Sequence, residues 1–326
     1  MTTTRQRAGS RTRDVWAGLG AGAAVVLALG GAGCGPRGGT DATGPGPDGG
    51  GTSTDAVAAG TDAGPPCGTE LLPTTAITGT EGIAIGPTGT LYYSQFRAVG
   101  RRIPGGAPDG TWVSISGADT IWGLALSPDG ILYVGSPSTG TLYAIDTNAA
   151  SPVASSIVPV AGTPNGLTMG PDGAVYYGDF NTGQVYRVTP AGVRTQVTTS
   201  PVPSANGLLF DPDGTLLVLN YGGGTIWRLT LDASMVETGR VMAGDAGGAM
   251  IDGIGRDAMG RYYVTDNSGD RLLRFDASFG NQTPLLTGIG AAANVAFGKG
   301  ALACTDVYVA SSGALGLFHG DSAGTP

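Results

Sequence analysis

Histidine is almost absent from this sequence, and cysteine is nearly as rare. The 326 residues contain one histidine, His319, and three cysteines, Cys34, Cys67 and Cys304. A zinc site built from several histidines is therefore excluded, no cysteine cluster replaces it, and a Ser-His-Asp triad has a single histidine to draw on. These absences direct the search for chemistry towards oxygen ligands.

Positive charge is also scarce. Seventeen Lys and Arg residues oppose 25 Asp and Glu residues, which gives a formal net charge of -8. The arginines are scattered rather than gathered on one face. Because nucleic-acid binding needs a basic face, we expect no nucleic-acid partner, and we attribute the acidity to solubility and attraction of cations.

Glycine, by contrast, is very abundant, with 60 residues. Many of these glycines belong to a phrase that recurs along the chain, as in residues 206–214, Asn-Gly-Leu-Leu-Phe-Asp-Pro-Asp-Gly. Successive copies start 41, 43, 41, 46 and 41 residues apart. The six starts, called the ring positions below, are Glu81, Trp122, Asn165, Asn206, Asp252 and Ala293. A period of roughly 40–50 residues is typical of a β-propeller.

Each copy predicts four strands. An apolar strand leads into Pro-Asp-Gly, a turn in which Pro presets φ and Gly takes positive φ. Two further strands and a more polar outer strand follow. Six copies predict an all-β, six-bladed β-propeller of four-stranded antiparallel blades, with the N-terminal residues 71–77 closing the last blade. The ring positions then surround one end of the central channel.

The chain before the propeller predicts export. Residues 1–34 combine a basic start, an apolar middle and a small-residue end at Cys34, as in a lipoprotein-type signal peptide. The third residue before Cys34 is Gly31, where a lipoprotein motif favours leucine, and an uncleaved membrane anchor is the alternative. Residues 35–66 predict a disordered tether and residues 67–326 the propeller. Either way, we expect an extracytoplasmic, bacterial-type protein that contacts the membrane only through its N-terminus.

The two remaining cysteines lie near the two ends of the predicted ring. In an oxidising compartment a disulfide is expected between Cys67 and Cys304, which would join the last blade to the start of the propeller. The alternative is a pair of unpaired buried thiols.

The ring positions carry oxygen ligands. Glu81 and Asp252 are carboxylates, and Asn165 and Asn206 offer amide oxygens, a set that suits Ca²⁺ or another hard divalent ion. Each residue alone is explained equally well as a turn residue at a strand start. Two carboxylates converging without a cation would repel each other, and a bound cation removes that cost.

From Cys67 to His319 the chain resembles the regucalcin/gluconolactonase/senescence-marker-protein family of six-bladed propellers, which hold one divalent metal in the channel. The resemblance lies in Glu81 before Gly-Ile, Asn206 before Gly-Leu and Asp252 before Gly-Ile. It implies that these three residues are the metal ligands. It also places Asn165 beside the metal and substrate.

The resemblance further implies lactone hydrolysis, with Asp252 as ligand and general base and Asn165 orienting the substrate or a water. Residues 162–164, Gly-Thr-Pro, lack the arginine of sugar-lactone members, and Trp122 offers an apolar wall. The sequence therefore predicts a monomeric metal-dependent hydrolase of a small lactone or ester. The alternative is a non-catalytic, surface-tethered propeller that binds a polysaccharide, peptide or protein.

Overall fold

The computed structural model of the protein describes residues 67–72, 74–159 and 162–320. The predicted signal segment with Cys34 and the predicted tether lie outside the described residues. Within these ranges, no helix has the length and apolar character needed to span a membrane. The chain forms the predicted all-β propeller of six blades, each an antiparallel meander of consecutive strands.

The strands follow one another blade by blade. Blade 1 contains β1 (Ile83–Ile85), β2 (Leu91–Gln95), β3 (Ala98–Arg102) and β4 (Asp109–Ser114). Blade 2 contains β5 (Leu124–Leu126), β6 (Ile131–Ser136), β7 (Thr141–Asp146) and β8 (Ser155–Pro159). Blade 3 contains β9 (Pro164–Met169), β10 (Val175–Asp179), β11 (Val185–Val188) and β12 (Arg194–Gln196).

The second half of the ring repeats this pattern. Blade 4 contains β13 (Ala205–Phe210), β14 (Leu216–Asn220), β15 (Thr225–Leu231) and β16 (Glu237–Asp245). Blade 5 contains β17 (Ile251–Arg256), β18 (Tyr262–Asp266), β19 (Arg271–Phe275) and β20 (Thr283–Thr287). Blade 6 contains β21 (Ala292–Phe297), β22 (Asp306–Ser311) and β23 (Gly316–His319).

The repeated Pro-Asp-Gly phrase forms the turn between the first two strands of a blade. Gly130, Gly173 and Gly214 have φ of 85°, 75° and 84°. Each donates its N–H to the carbonyl three residues earlier, at 2.9–3.1 Å. A side chain is strained at such a positive φ, so the phrase needs glycine at its last position.

Burial decreases from the channel to the rim of each blade. All five residues of β10 are buried, whereas all three of β12 are exposed. The apolar clusters lie between neighbouring blades, as where Leu217 and Leu219 of blade 4 pack with Ile254 and Tyr262 of blade 5. Facing sheets thus bury the strands nearest the channel on both sides, which explains their continuous apolar runs.

The N-terminal segment closes the ring, but as an irregular segment rather than a full fourth strand of blade 6. It contains a 3-10 helix, Thr74–Ala76, and pairs through isolated bridges from Glu70 to Leu302 and from Thr78 to Ala314. Glu70 donates its backbone N–H to Ala301 of blade 6 at 2.9 Å. Its carboxylate pairs with the buried Arg102 of blade 1, so one residue ties the last blade to the first.

A disulfide joins Cys67 to Cys304, with 5.4 Å between the Cα atoms and 237 residues between them in sequence. It lies beside the backbone bonds of Gly68 to Gly300 and Glu70 to Ala301. The covalent link is therefore located where the two ends of the ring meet.

Candidate functional site

A small chamber lies at the centre of the ring and receives residues from all six blades. It is lined by Glu81, Trp122, Gly123, Asn165, Gly166, Asn206, Gly207, Asp252 and Asn294. The structure thus brings together the four oxygen-bearing residues predicted from the sequence, with Trp122 beside them. The chamber offers about 10 Å³ to the centre of a water-sized sphere, which is room for about one water or ion.

β-Bulges occur beside this chamber at the strand starts of blades 3 to 6. In β13, Ala205 pairs with Asn220 and Leu208 with Val218, so the first strand carries one extra residue at Asn206 and Gly207. The same offset occurs at the start of β9, β17 and β21. A bulge leaves residues unpaired and redirects their side chains, which is how a residue in a buried strand comes to face the channel.

Hydroxyl groups from the second strands fix the backbone at the ring. Ser94 accepts hydrogen bonds through Oγ from the N–H groups of Glu81, at 2.9 Å, and Gly82, at 2.8 Å. Thr265 accepts through Oγ1 from the Gly253 N–H at 2.7 Å and donates to the Ala293 carbonyl at 2.7 Å. The two carboxylate-bearing strand starts are therefore held by neighbouring side chains as well as by the sheet.

The carboxylates are deprived of water. Asp252 is buried, and Glu81 keeps part of its surface exposed. Burial raises the pKa of Glu81 to about 7. Burial, followed by the charge of Glu81, raises the pKa of Asp252 well above its usual range, and the neighbouring Asn206 amide acts in the opposite direction. Within the described ranges, the ion pairs involve other carboxylates. The negative charges of Glu81 and Asp252 are therefore not compensated by an ion pair.

Asn206 provides a test of whether a cation fits. Asn206 is 1% exposed, and neither Oδ1 nor Nδ2 makes a hydrogen bond of normal geometry, although the amide lies close enough to Asp252 to oppose the rise in its pKa. Such an unpaired buried group costs about 1–3 kcal/mol. Oδ1 and both carboxylates could coordinate a hard divalent cation together. The cation would offset the repulsion between the two carboxylates. Among the described residues, no three His, Cys, Asp or Glu side chains are placed to hold a metal ion together, so this ligand set includes an asparagine.

One chamber residue was missed in the sequence. Ala293 does not line the chamber, and Asn294 does. In the other five copies the corresponding residue is glycine, so an asparagine at the glycine position of the sixth copy was the available signal. Its Oδ1 accepts the Val295 N–H at 2.7 Å.

An aromatic series leads outward from the chamber. The rings of Trp122 and Phe180 are 6.3 Å apart and inclined at 72°, and those of Phe180 and Tyr221 are 5.4 Å apart and inclined at 68°. The Tyr221 hydroxyl donates to Oδ1 of Asn267 at 3.0 Å. The prediction of an apolar wall at Trp122 therefore extends to two residues that sequence reasoning did not identify.

Other acidic residues near the mouth of the channel serve the turns. Asp179 accepts the N–H groups of Thr163 and Asn181 through Oδ1, each at 3.1 Å. Asp266 accepts the Gly269 N–H at 2.9 Å and pairs with Arg271. Both carboxylates stabilise local backbone, as expected for aspartates that follow a strand.

Family comparison agrees with this architecture. The family model described as the SMP-30/Gluconolactonase/LRE-like region matches residues 122–313, which is more than half of the chain. The chain belongs to this family. The matched region contains Asn165, Asn206 and Asp252, and it begins after Glu81. No curated protein sequence is significantly similar to the chain.

Solved structures with the same fold are distant in sequence. A gluconolactonase from Xanthomonas campestris is 20% identical, with a TM-score of 0.62, and the match covers 75% of this chain and 87% of that one. The calcium-binding protein regucalcin from Agrobacterium tumefaciens is 18% identical, with a TM-score of 0.62 and coverages of 77% and 93%. Virginiamycin B lyase from Staphylococcus aureus is 17% identical, with a TM-score of 0.58 and coverages of 74% and 80%.

Proposed function

We propose that this family member is an extracytoplasmic, metal-dependent hydrolase of lactones or related esters. The observation that carries the proposal is the convergence of the Glu81 and Asp252 carboxylates and the buried Asn206 amide on a chamber large enough for one ion. Similarity to a gluconolactonase and to a calcium-binding regucalcin supports the same reading.

Glu81, Asn206 and Asp252 would hold the cation, and Ca²⁺ is the expected ion because all three residues offer hard oxygen ligands. When bound, the cation would supply Lewis-acid polarisation of an ester carbonyl. The Asp252 carboxylate would take the proton of the attacking water. Asn165, 6% exposed at the chamber wall, would orient the substrate.

The location is a proposal from the N-terminal sequence. A basic start, an apolar segment and Cys34 support export and lipid attachment, and residues 35–66 would act as a tether. A Cys34→Ser variant that remains in the membrane fraction and lacks the lipid mass would support an uncleaved anchor instead.

A second candidate is a non-catalytic propeller that binds a polysaccharide, peptide or protein at the cell surface. The observation in its favour is the absence of arginine from residues 162–164, next to Asn165. In this case the cation would only rigidify the ring.

The test is the divalent-metal content and the Ca²⁺-dependent melting of the mature chain, wild type beside Asp252→Ala. We expect about one ion per chain in the wild type, a rise in Tm with Ca²⁺, and loss of both in the variant. A panel of lactones and esters then separates the two candidates, because Asp252→Ala abolishes hydrolysis only if the protein is an enzyme. Absence of metal and of any Ca²⁺ shift in the wild type would refute the hydrolase proposal.

A further inference from the structure

The mouth of the chamber has unlike sides. Four residues that follow the second strand of a blade occupy equivalent places, because each donates its N–H to the carbonyl two residues before a ring position. These residues are Phe180, Tyr221, Asn267 and Ser312, which bond to Thr163, Ser204, Met250 and Ala291 at 3.0, 3.3, 2.8 and 3.2 Å. The mouth is therefore aromatic at blades 3 and 4 and polar at blades 5 and 6.

Trp122 continues the aromatic side into blade 2. It lines the chamber itself, and its ring meets the ring of Phe180 edge to face. Trp122, Phe180 and Tyr221, here called the aromatic wall, thus form a continuous series across three blades. All three side chains are partly exposed, so the series keeps an accessible apolar surface next to the carboxylates.

The polar groups of Tyr221 and Asn267, at the blade 4 and 5 side of this wall, are already paired. The Tyr221 hydroxyl donates to Oδ1 of Asn267, and Nδ2 of Asn267 donates to the Ala292 carbonyl at 3.3 Å. A polyhydroxylated ligand would have to lose water from its hydroxyl groups without gaining these partners, which is unfavourable.

The charge of the chamber disfavours an anionic ligand. Its lining residues, taken from the described part of the chain, include two carboxylates and neither lysine nor arginine. A divalent cation would neutralise the two carboxylates, and no further positive group is present to attract an anionic ligand.

We propose that the aromatic wall is the specificity determinant of this site and that the substrate is a neutral lactone or ester with a flat aromatic or apolar group. This inference rests on the proposed function, since it concerns the same chamber. The flat group would pack against the Phe180 and Trp122 rings, which are rigid and lose little conformational freedom, and its carbonyl would face the cation held by Glu81 and Asp252. A sugar lactone finds no unpaired partner in the Tyr221 hydroxyl and the Asn267 amide beside the wall.

The test measures binding and hydrolysis separately, using the Ca²⁺-loaded full chain. Two hydrolysis-resistant lactams serve as binding probes in calorimetry: a benzo-fused six-membered lactam and gluconolactam. Dihydrocoumarin and glucono-δ-lactone are the corresponding substrates. We expect the benzo-fused lactam to bind at least about tenfold more tightly than gluconolactam.

Variants assign the preference to the wall. Phe180→Ala should weaken binding of the benzo-fused lactam roughly tenfold and leave gluconolactam unchanged. Phe210→Ala is the matched control. Phe210 is also half-buried, and its ring meets the ring of Tyr176 edge to face at 4.8 Å and 76°. It lies at the end of β13 that is farther from Asn206 and the chamber. Tyr221→Phe keeps the ring and should bind the benzo-fused lactam within about twofold of the wild type.

The outcomes are distinct. Equal or tighter binding of gluconolactam, binding of neither lactam, or equal losses in Phe180→Ala and Phe210→Ala would overturn the inference. Preferential binding of the benzo-fused lactam without hydrolysis of either lactone would support the role of the aromatic wall in ligand specificity. It would refute the proposed hydrolase activity.

Discussion

Gly207 packs directly against the backbone carbonyl oxygen of Asp252. A Cβ atom at position 207 would lie 2.3 Å from that oxygen, so there is no room for a side chain. The same relationship joins each ring glycine to the ring residue of the next blade, as for Gly123 with Asn165 at 1.9 Å and Gly166 with Asn206 at 2.1 Å. The innermost strands therefore approach each other most closely at the chamber, and glycine permits this approach.

A Gly207→Ala substitution should accordingly open the ring at the chamber. The methyl group would meet backbone, which cannot rotate away, so we expect a loss of about 1–3 kcal/mol in the free energy of unfolding. Displacement of Asn206 and Asp252 should weaken Ca²⁺ binding by roughly 10–100-fold. Gly239→Ala is the control, because a Cβ there meets nothing within 4 Å. Similar Ca²⁺ affinities in the two variants, measured by calorimetry, would contradict this account.

Stability without a cation should fall as the pH rises. The folded-state pKa of Glu81 is raised to about 7, so at pH 5–7 the folded protein holds a proton that the unfolded chain has released. Folding then loses stability as the pH rises through this window, and the raised pKa of Asp252 acts in the same direction. In EDTA we expect the free energy of unfolding to be about 1–3 kcal/mol lower at pH 8 than at pH 5.

Glu81→Gln isolates this effect. The variant should lose less stability than the wild type over the same pH range in EDTA, and it should show a smaller rise in Tm with Ca²⁺. Carboxylates with lowered pKa, such as Glu237 beside Arg240, titrate below this window and are common to both proteins. Parallel pH profiles for the two proteins would show that Glu81 is not the group responsible.

The ligand set could be predicted because Glu81, Asn165, Asn206 and Asp252 stand at the same offset in a repeated phrase. A repeat converts sequence position into spatial position, since each copy forms the same blade. Asn294 could not be predicted from the repeat, because the sixth copy has alanine at the ring position and its polar residue one place later.

The aromatic wall could not be predicted in the same way. Phe180 and Tyr221 follow second strands that end at the chamber, and their contacts join different blades. Which loop side chains turn towards the channel depends on packing between blades, which a local pattern does not contain. The N-terminal segment illustrates the same limit, because its apolar residues predict a strand and competing contacts with two blades make it irregular.

A second junction between blades lies at Asp211. This buried carboxylate accepts a hydrogen bond from the Tyr262 hydroxyl of blade 5 at 2.8 Å and forms an ion pair with Arg228 of blade 4. Asp211 therefore links the two blades. Asp211→Ala should cost about 3–5 kcal/mol in the free energy of unfolding, because it leaves the partly buried Arg228 without its closest partner. Asp213→Ala, in the same turn but 63% exposed and 3.9 Å from Arg228, is the control and should cost less than about 1 kcal/mol. Equal losses, measured by chemical denaturation, would exclude this role of Asp211.

Ring closure by the disulfide should dominate resistance to unfolding. The bond from Cys67 to Cys304 closes a loop of 237 residues, for which chain entropy gives an upper value of about 5.5 kcal/mol. Replacing both cysteines by serine should therefore lower the free energy of unfolding by about 2–5 kcal/mol. The double variant should also become insensitive to reductant.

The control for this experiment is Cys34→Ser, which leaves the bonded pair Cys67 and Cys304 intact. It should melt like the wild type and keep the sensitivity of Tm to reductant. If the double variant instead melts like the wild type, the contacts of Glu70 with Ala301 and Arg102 are sufficient to close the ring, because they join the same two blades without a covalent bond. A Glu70→Gln substitution in the double variant would then produce the missing loss of stability.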